Sequence, residues 1–158
     1  MMANQNGRAI RFHESKVRSM GRTAAGVRGI KLDDGKDRVV GMIVVDPDDP
    51  AYSVLVLSEK GNGKRSQIPD YRVTNRGGKG VKTMNISKKT GKLVAIKSVT
   101  DTDDLMITTR RGVIIRIKVE DLRIMGRATQ GVRVIRLNEG EAIADVTVVK
   151  ESTKEEEE

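Results

Sequence analysis

Short apolar stretches alternate with polar turns along almost the whole chain, and helical periodicity is nearly absent. The stretches at residues 8–12, 27–32, 39–45, 52–57, 81–86, 93–99, 105–108, 113–119, 132–137 and 143–149 are dominated by β-branched residues, which predicts short strands and a chain built from sheet. Gly61-Asn-Gly63, Thr90-Gly91 and Arg111-Gly112 read as hairpin turns. Asp46-Pro-Asp-Asp-Pro50 and Thr100-Asp-Thr-Asp-Asp104 read as acidic turns between larger units.

These stretches belong to a repeat. Gly7, Gly61 and Gly112 are each followed nineteen residues later by another glycine. Gly26-Val-Arg-Gly-Ile-Lys-Leu32, Gly80-Val-Lys-Thr-Met-Asn-Ile86 and Gly131-Val-Arg-Val-Ile-Arg-Leu137 are three copies of one phrase. The leading glycines lie 54 and then 51 residues apart, the size of a four-stranded propeller blade, and radial repetition lets sheets without helices cover one another. The expected fold is all-β: propeller-like blades of about four antiparallel strands in three repeats, at residues 1–45, 46–99 and 100–150, followed by a disordered acidic tail at 151–158. The second and third units open on apolar strands, but no such run precedes Gly7. The first blade is therefore expected to be incomplete, lacking a strand or borrowing one, and the chain reads as cut from something longer. Edges left open in this way invite pairing, including self-pairing of two copies.

Composition sharpens the picture. Hydrophobic residues make up 37% of the 158 and aromatic ones only 2%, so the core must rest on Val, Ile, Leu and Met. Without cysteine, disulfides and thiolate metal sites are excluded. No apolar run approaches the roughly 20 residues of a membrane span, and the first seven residues lack a signal peptide's apolar stretch, so a soluble intracellular protein is expected. The net charge of +8 understates the body, because residues 151–158 hold five acids and one lysine and leave +12 on residues 1–150. Such a charge points to a polyanion, nucleic acid first and an anionic membrane surface second, with a merely well-solvated surface as the bland alternative.

The cations recur with the glycines. Arg22, Arg76 and Arg127 stand four residues before the second glycine of each repeat, and Arg18, Arg72 and Arg123 stand eight before it. Arg28, Lys82 and Arg133 follow it. If the units are related by rotation, these residues form rows around a rim, which suits the phosphates of a bent duplex better than base reading. Within the phrase, Ile30, Met84 and Ile135 share a face with Leu32, Ile86 and Leu137, which turns Lys31, Asn85 and Arg136 outward. Strict alternation puts Arg28, Lys82 and Arg133 on the apolar side unless the strand starts late or carries a bulge, so their facing stays open. Gly77, Gly78 and Lys79 also have two readings: exposed amides and cations lying against phosphate, or glycines that only supply positive φ for a tight turn.

Enzyme chemistry finds little support. Gly80 follows Lys79 where a phosphate-binding Walker loop needs Ser or Thr. His13 is the only histidine and nothing beside it resembles a nucleophile elbow, while the acids sit in turns without EF-hand spacing. Phe12, Tyr52 and Tyr71 are too few to make stacking platforms for single strands. Tyr71 is expected in the core, and Met20 and Met125 in packing.

Gly61-Asn-Gly-Lys-Arg65, Tyr71-Arg-Val-Thr-Asn-Arg-Gly-Gly-Lys-Gly-Val81 and Gly126-Arg-Ala-Thr-Gln-Gly-Val-Arg133 together closely resemble the C-terminal domain of bacterial DNA gyrase A, over nearly the whole chain outside the tail. The resemblance implies a β-pinwheel, a ring of blades with exchanged strands that wraps double-stranded DNA on a basic rim and so supports ATP-dependent negative supercoiling by gyrase, a type IIA topoisomerase. It implies the last three of six blades, with the remainder of gyrase A and its companion gyrase B as partners and a bacterial cytoplasmic location. It also implies that ATP and Mg bind elsewhere in that enzyme, with no cofactor, metal or catalytic residue here. The family's signature box, Gln-Arg-Arg-Gly-Gly-Arg/Lys-Gly, has its nearest match in Thr74-Asn-Arg-Gly-Gly-Lys-Gly80, where Thr74 and Asn75 replace Gln and Arg. This match reads as a later-blade relative of the box. Neither Tyr52 nor Tyr71 is the DNA-cleaving nucleophile, whose domain lies elsewhere. The acids at 155–158 either compete with phosphate for the rim or form a solubilising end. The alternatives are the equivalent domain of topoisomerase IV and a propeller-like protein-interaction module, the latter weakened by the scarcity of aromatic anchors.

Overall fold

A computed structural model describes residues 1–150, so the expected acidic tail lies outside the described residues. The strands are β1 (Met2–Asn4), β2 (Arg8–Ile10), β3 (Val39–Met42), β4 (Ser53–Ser58), β5 (Asn62–Gln67), β6 (Val81–Lys82), β7 (Leu93–Val99), β8 (Asp104–Thr109), β9 (Ile114–Lys118), β10 (Val132–Arg133) and β11 (Ile143–Val149). Among the described residues helix is limited to single 3-10 turns at Glu14–Lys16, Ile68–Asp70 and Val119–Asp121. The chain is all-β.

Its strands form three antiparallel sheets, ordered β3-β1-β2-β6, β10-β5-β4-β7 and β11-β8-β9. The first two sheets each take a strand from the following repeat. β6 pairs with β2 through Arg8↔Lys82 and Ala9↔Val81, and β10 pairs with β5 through Asn62↔Arg133 and Gly63↔Val132. Both exchanged strands are the opening of the recurrent Gly-Val phrase. Strand β7 packs against both β3 and β11, which sets these three at the hub and the exchanged strands at the outer edge.

The periodic glycines are required by this geometry. Gly7, Gly61 and Gly112 turn the three hairpins at φ +84, +90 and +86°. Gly80 and Gly131, at φ +76 and +77°, also lie against a neighbouring backbone: a Cβ on Gly80 would sit 2.3 Å from the carbonyl oxygen of Ala9, and one on Gly131 2.7 Å from that of Gly63. Gly26 has the same conformation at φ +81°, but a Cβ there would meet nothing within 4 Å.

The central sheet is covered on both faces, and β4 shows how. Val54 and Val56 pack with Ala9, Ile68, Tyr71, Met84 and Ile96 between the first and second sheets. The alternating Leu55 and Leu57 pack with Leu105, Ile107, Leu122, Ile135 and Val146 between the second and third. Met84 and Ile135 hold equivalent places in the phrase, and each plugs the seam beside its exchanged strand.

Three sequence expectations change. The first sheet borrows its fourth strand, one of the two expected alternatives, but not for want of an opening strand: Met2–Asn4 fills that place, too short and too weakly apolar to stand out. The sheet with three strands is the third, where β9 has no exchanged neighbour among the described residues. The stretch at 27–32 forms no strand, since no sheet lies beside it to pair with, whereas Asn62–Gln67 forms one with no large apolar residue to signal it.

Candidate nucleic-acid interface

The two seams between repeats are built alike. At the first, the Gly77 amide donates to the Gly29 carbonyl at 2.6 Å and the Lys31 amide to the Gly78 carbonyl at 2.8 Å. At the second, the Asn85 amide donates to the Thr129 carbonyl at 3.2 Å. The phrase of one repeat thus lies along the arginine-bearing turn of the next. Arg28 and Lys31 come to one seam with Arg76 and Lys79, and Lys82 comes to the other with Arg127.

A bulge settles which way the phrase cations face. The amides of Thr83 and Met84 both donate to the Gly7 carbonyl, at 2.7 and 3.3 Å, so two residues oppose one. Lys82 is therefore exposed, Thr83 and Met84 are both buried, and Asn85 is exposed again. Arg28, Arg133, Lys31 and Arg136 are likewise exposed, while Ile30, Met84 and Ile135 point inward as the sequence predicts. Arg18, Arg22, Arg72 and Arg123 are exposed too. Beside β10, an open cleft of about 510 Å³ is lined in part by Asn62, Lys89, Gln130, Arg133 and Arg136. Its cationic side chains and open mouth suit an extended anion rather than an enclosed small molecule.

Arg76 and Arg127 do more than display charge. Arg76 donates through Nε to the Lys16 carbonyl at 2.9 Å and through Nη1 to that of Arg28 at 3.2 Å. Arg127 does the same one repeat later, to Asp70 at 3.1 Å and Lys82 at 2.7 Å. Each guanidinium grips the repeat before it and holds the backbone that carries a phrase cation. A reciprocal pair, absent from the predicted site residues, grips the repeat after it. Arg11 donates to the Ile68 and Tyr71 carbonyls at 3.3 and 3.0 Å, and Arg65 to the Leu122 carbonyl at 2.9 Å and to Asp101 at 2.5 Å. Arg11, Arg65 and Arg116 recur at the same 54 and 51 spacing as the other arginines, which is the signal that would have found them.

Lys64 strengthens the second seam from inside. Its wholly buried ammonium donates to the Gly126 carbonyl at 2.8 Å, to the Arg127 carbonyl and to Thr129 Oγ1 at 3.2 Å. Burial, and to a lesser degree the Arg127 charge, push its pKa down to about 8 against the opposing pull of Asp70.

At the glycine-rich turn, Gly77 has φ +83° and its amide is already bound to Gly29, whereas Gly78 has no positive φ. Lys79 pairs with Asp33 at 3.2 Å on the exposed surface, where such a pair adds little. The remaining candidates take structural places. His13 is exposed and its Nδ1 accepts from the Ser15 amide at 3.1 Å, capping a 3-10 turn. Tyr71 is 1% exposed with its hydroxyl 2.5 Å from Thr83 Oγ1. Met20 and Met125 are half-buried. Asp46 and Asp49 accept from the amides of Asp48 and Ala51 within their own turn. Among the described residues no three potential ligands gather to hold a metal, and no helix is long and apolar enough to cross a membrane.

A family model described as "DNA gyrase C-terminal domain, beta-propeller" matches residues 1–46, 52–100 and 103–150. The DNA gyrase A of Staphylococcus aureus strain MRSA252 is 48% identical over 158 residues, which is 100% of this chain and 18% of that relative. The gyrase A of strain NCTC 8325 is 47% identical over 156 residues, 99% of this chain and 17% of its own length. The chain thus spans under a fifth of these relatives. Among solved structures, the C-terminal domain of DNA topoisomerase IV superposes with a TM-score of 0.84 at 25% identity, covering 94% of this chain and 46% of the other. The DNA gyrase A C-terminal domain gives 0.78 at 25% identity, covering 94% and 49%.

Proposed function

This chain belongs to the DNA gyrase C-terminal domain family, and from that premise we propose that it binds duplex DNA along its outer edge and bends it as part of a gyrase A. The observation that carries this reading is the exposure of Arg28, Lys82 and Arg133 at equivalent places in the phrase, two of them on the exchanged strands at the outer edge. Charges repeated on a rigid scaffold meet phosphates at intervals without reading bases, so the recognition is of backbone and deformability. Lys31, Arg136, Arg18, Arg22, Arg72 and Arg123 widen the positive field, and Lys79, Arg76 and Arg127 add to it from the seams. In the Arg76-Gly77-Gly78-Lys79 turn the side chains, rather than the Gly77 amide, are the groups offered to phosphate.

Within a whole gyrase the bent DNA would serve ATP-dependent negative supercoiling together with the rest of gyrase A and with gyrase B, in the bacterial cytoplasm. These residues take no part in cleavage or in nucleotide and Mg binding. Gyrase is favoured over topoisomerase IV by the 48% identity to a gyrase A across the full chain.

The test is duplex affinity across a salt series, for the 158-residue chain and for one ending at Lys150. Affinity should fall linearly on a log–log plot with a slope set by the phosphates neutralised, with little sequence preference, and removal of the net −4 at 151–158 should tighten binding if those acids compete for the rim. Absence of binding at low salt by either form would overturn the reading.

A further inference from the structure

One turn of the second repeat departs from its counterparts in charge. The segment joining β6 to β7 ends in Ser87-Lys-Lys-Thr-Gly-Lys92, three cations without an acid. By the repeat spacing it corresponds to residues 33–38, which hold Asp33, Asp34 and Asp37 against Lys36 and Arg38, and to residues 138–143, which hold Glu139 and Glu141 and no cation. We infer that Lys88, Lys89 and Lys92 form a second phosphate-contact site, set at one end of the blade rather than on its outer edge, so that the duplex crosses the second repeat displaced towards that end. This rests on the duplex binding proposed above and adds cations that lie outside the recurrent rows.

The turn is a fixed platform. Thr90 is wholly buried and its Oγ1 accepts from the Ser87 amide at 3.0 Å, while the Gly91 amide donates to the Ser87 carbonyl at 3.0 Å. Two backbone bonds fasten it to the hairpin turn between β4 and β5: the Glu59 amide donates to the Lys92 carbonyl at 2.8 Å and the Lys60 amide to that of Thr90 at 3.1 Å. The Lys60 ammonium also donates to the Lys88 carbonyl. Lys88, Lys89 and Lys92 are exposed, and among the described residues their ammonium groups make no hydrogen bond or ion pair. The neighbouring carboxylate of Glu59 is taken by the Lys92 amide and by Arg110. Cations on a held backbone without internal partners are available to an external anion.

The site adjoins the outer edge. The Gly61 carbonyl, in the same hairpin turn, accepts from the Val134 amide at 2.8 Å, and Lys89 lines the cleft beside β10 together with Arg133 and Arg136. Phosphates therefore pass from the edge to the turn without leaving cationic surface. The far end of the blade has the opposite charge. Ser53, at the start of β4, pairs with Gln67 and Val99, while Ser58, at its finish, pairs with Leu93. The turns at 46–52 and 100–103 thus lie about 17 Å from the lysines at the rise of an extended strand. Asp46, Asp48 and Asp101 are exposed there. Physiological salt screens charges beyond about 8 Å, so a duplex nearer the lysine end gains its cations free of those acids.

Limited acetylation of the 158-residue chain, with and without a linear duplex and read lysine by lysine by mass spectrometry, tests this. Lys88, Lys89 and Lys92 should be shielded several-fold, as Lys82 on the outer edge should be, while Lys118, exposed at the acidic end, stays reactive. Shielding of Lys82 with the three turn lysines still reactive would overturn this site and leave the outer-edge reading standing. No shielding at any of the four would overturn both, and equal shielding of Lys118 would overturn the displacement. Replacing the three turn lysines together by alanine removes no internal side-chain bond, so circular dichroism should be unchanged while the log–log salt slope of duplex binding falls by about 2–3. Lys118→Ala should leave the slope as it is. An unchanged slope in the folded triple variant would equally overturn the site.

Discussion

Replacing Gly80 by alanine tests strand exchange at its tightest point. The residue has φ +76°, where an L side chain costs about 1–2 kcal/mol. The new Cβ would stand 2.3 Å from the carbonyl oxygen of Ala9 and 2.6 Å from its carbon. These are backbone atoms that no rotamer change can move, so β6 must lift from β2. Lifting gives up the Arg8↔Lys82 and Ala9↔Val81 pairing and loosens Met84 in the first core. At about 1 kcal/mol for each of roughly two hydrogen bonds, the total loss comes to about 3–4 kcal/mol. Gly26→Ala meets the same φ penalty without any collision, so it should lose only about 1–2 kcal/mol. Urea denaturation of both variants in dilute solution gives the comparison, and hydrogen exchange at the Val81 and Lys82 amides should speed up in Gly80→Ala alone. Equal losses at the two positions would refute the reasoning, because they would mean that the neighbouring sheet does not matter.

Arg65→Ala should destabilise by about 2–3 kcal/mol, since a buried guanidinium bonded to Leu122 and Asp101 is lost, while Arg116→Ala should cost under about 1 kcal/mol because its pair with Asp104 is exposed; denaturant midpoints decide. Lys64 has its pKa lowered from 10.5 to about 8, so between those values the unfolded chain binds more protons and stability should rise with pH, by at most about 3 kcal/mol. The Tyr71 phenol, pushed up by burial, acts oppositely above its ordinary 10, and Lys64→Met should flatten the rise when urea midpoints are followed from pH 7 to 10. Lys82→Ala and Arg133→Ala should each lower the salt slope of duplex binding by about 1 without creating sequence preference.

The repeat, the all-β class and the inward face of the phrase were legible because each leaves a periodic trace: glycines where φ is positive, and Ile30, Met84 and Ile135 where a seam must be filled. Strand β5 was not legible, since its own residues Lys64 and Arg65 are buried by hydrogen bonding across a seam rather than by hydrophobicity. The same blindness hid the clamps. A recurrent arginine reads as displayed charge in a sequence, and only the carbonyls of Lys16, Arg28, Asp70 and Lys82 reveal that Arg76 and Arg127 also fasten one repeat to the next. The facing of Lys82 was undecidable for a different reason, because one bulge at Gly7 breaks the alternation on which sequence reasoning depends.

Strand exchange also imposes an order on biosynthesis. Made from the N-terminus, the first sheet has all three of its own strands once Met42 has left the ribosome, yet it lacks β6 until Lys82 follows. At about 5–20 residues per second, that interval lasts about 2–8 seconds. Throughout it the edge of β2 stands open to any passing strand, so a nascent chain of this design leans on its own next segment, or on a chaperone, to arrive before a stranger does.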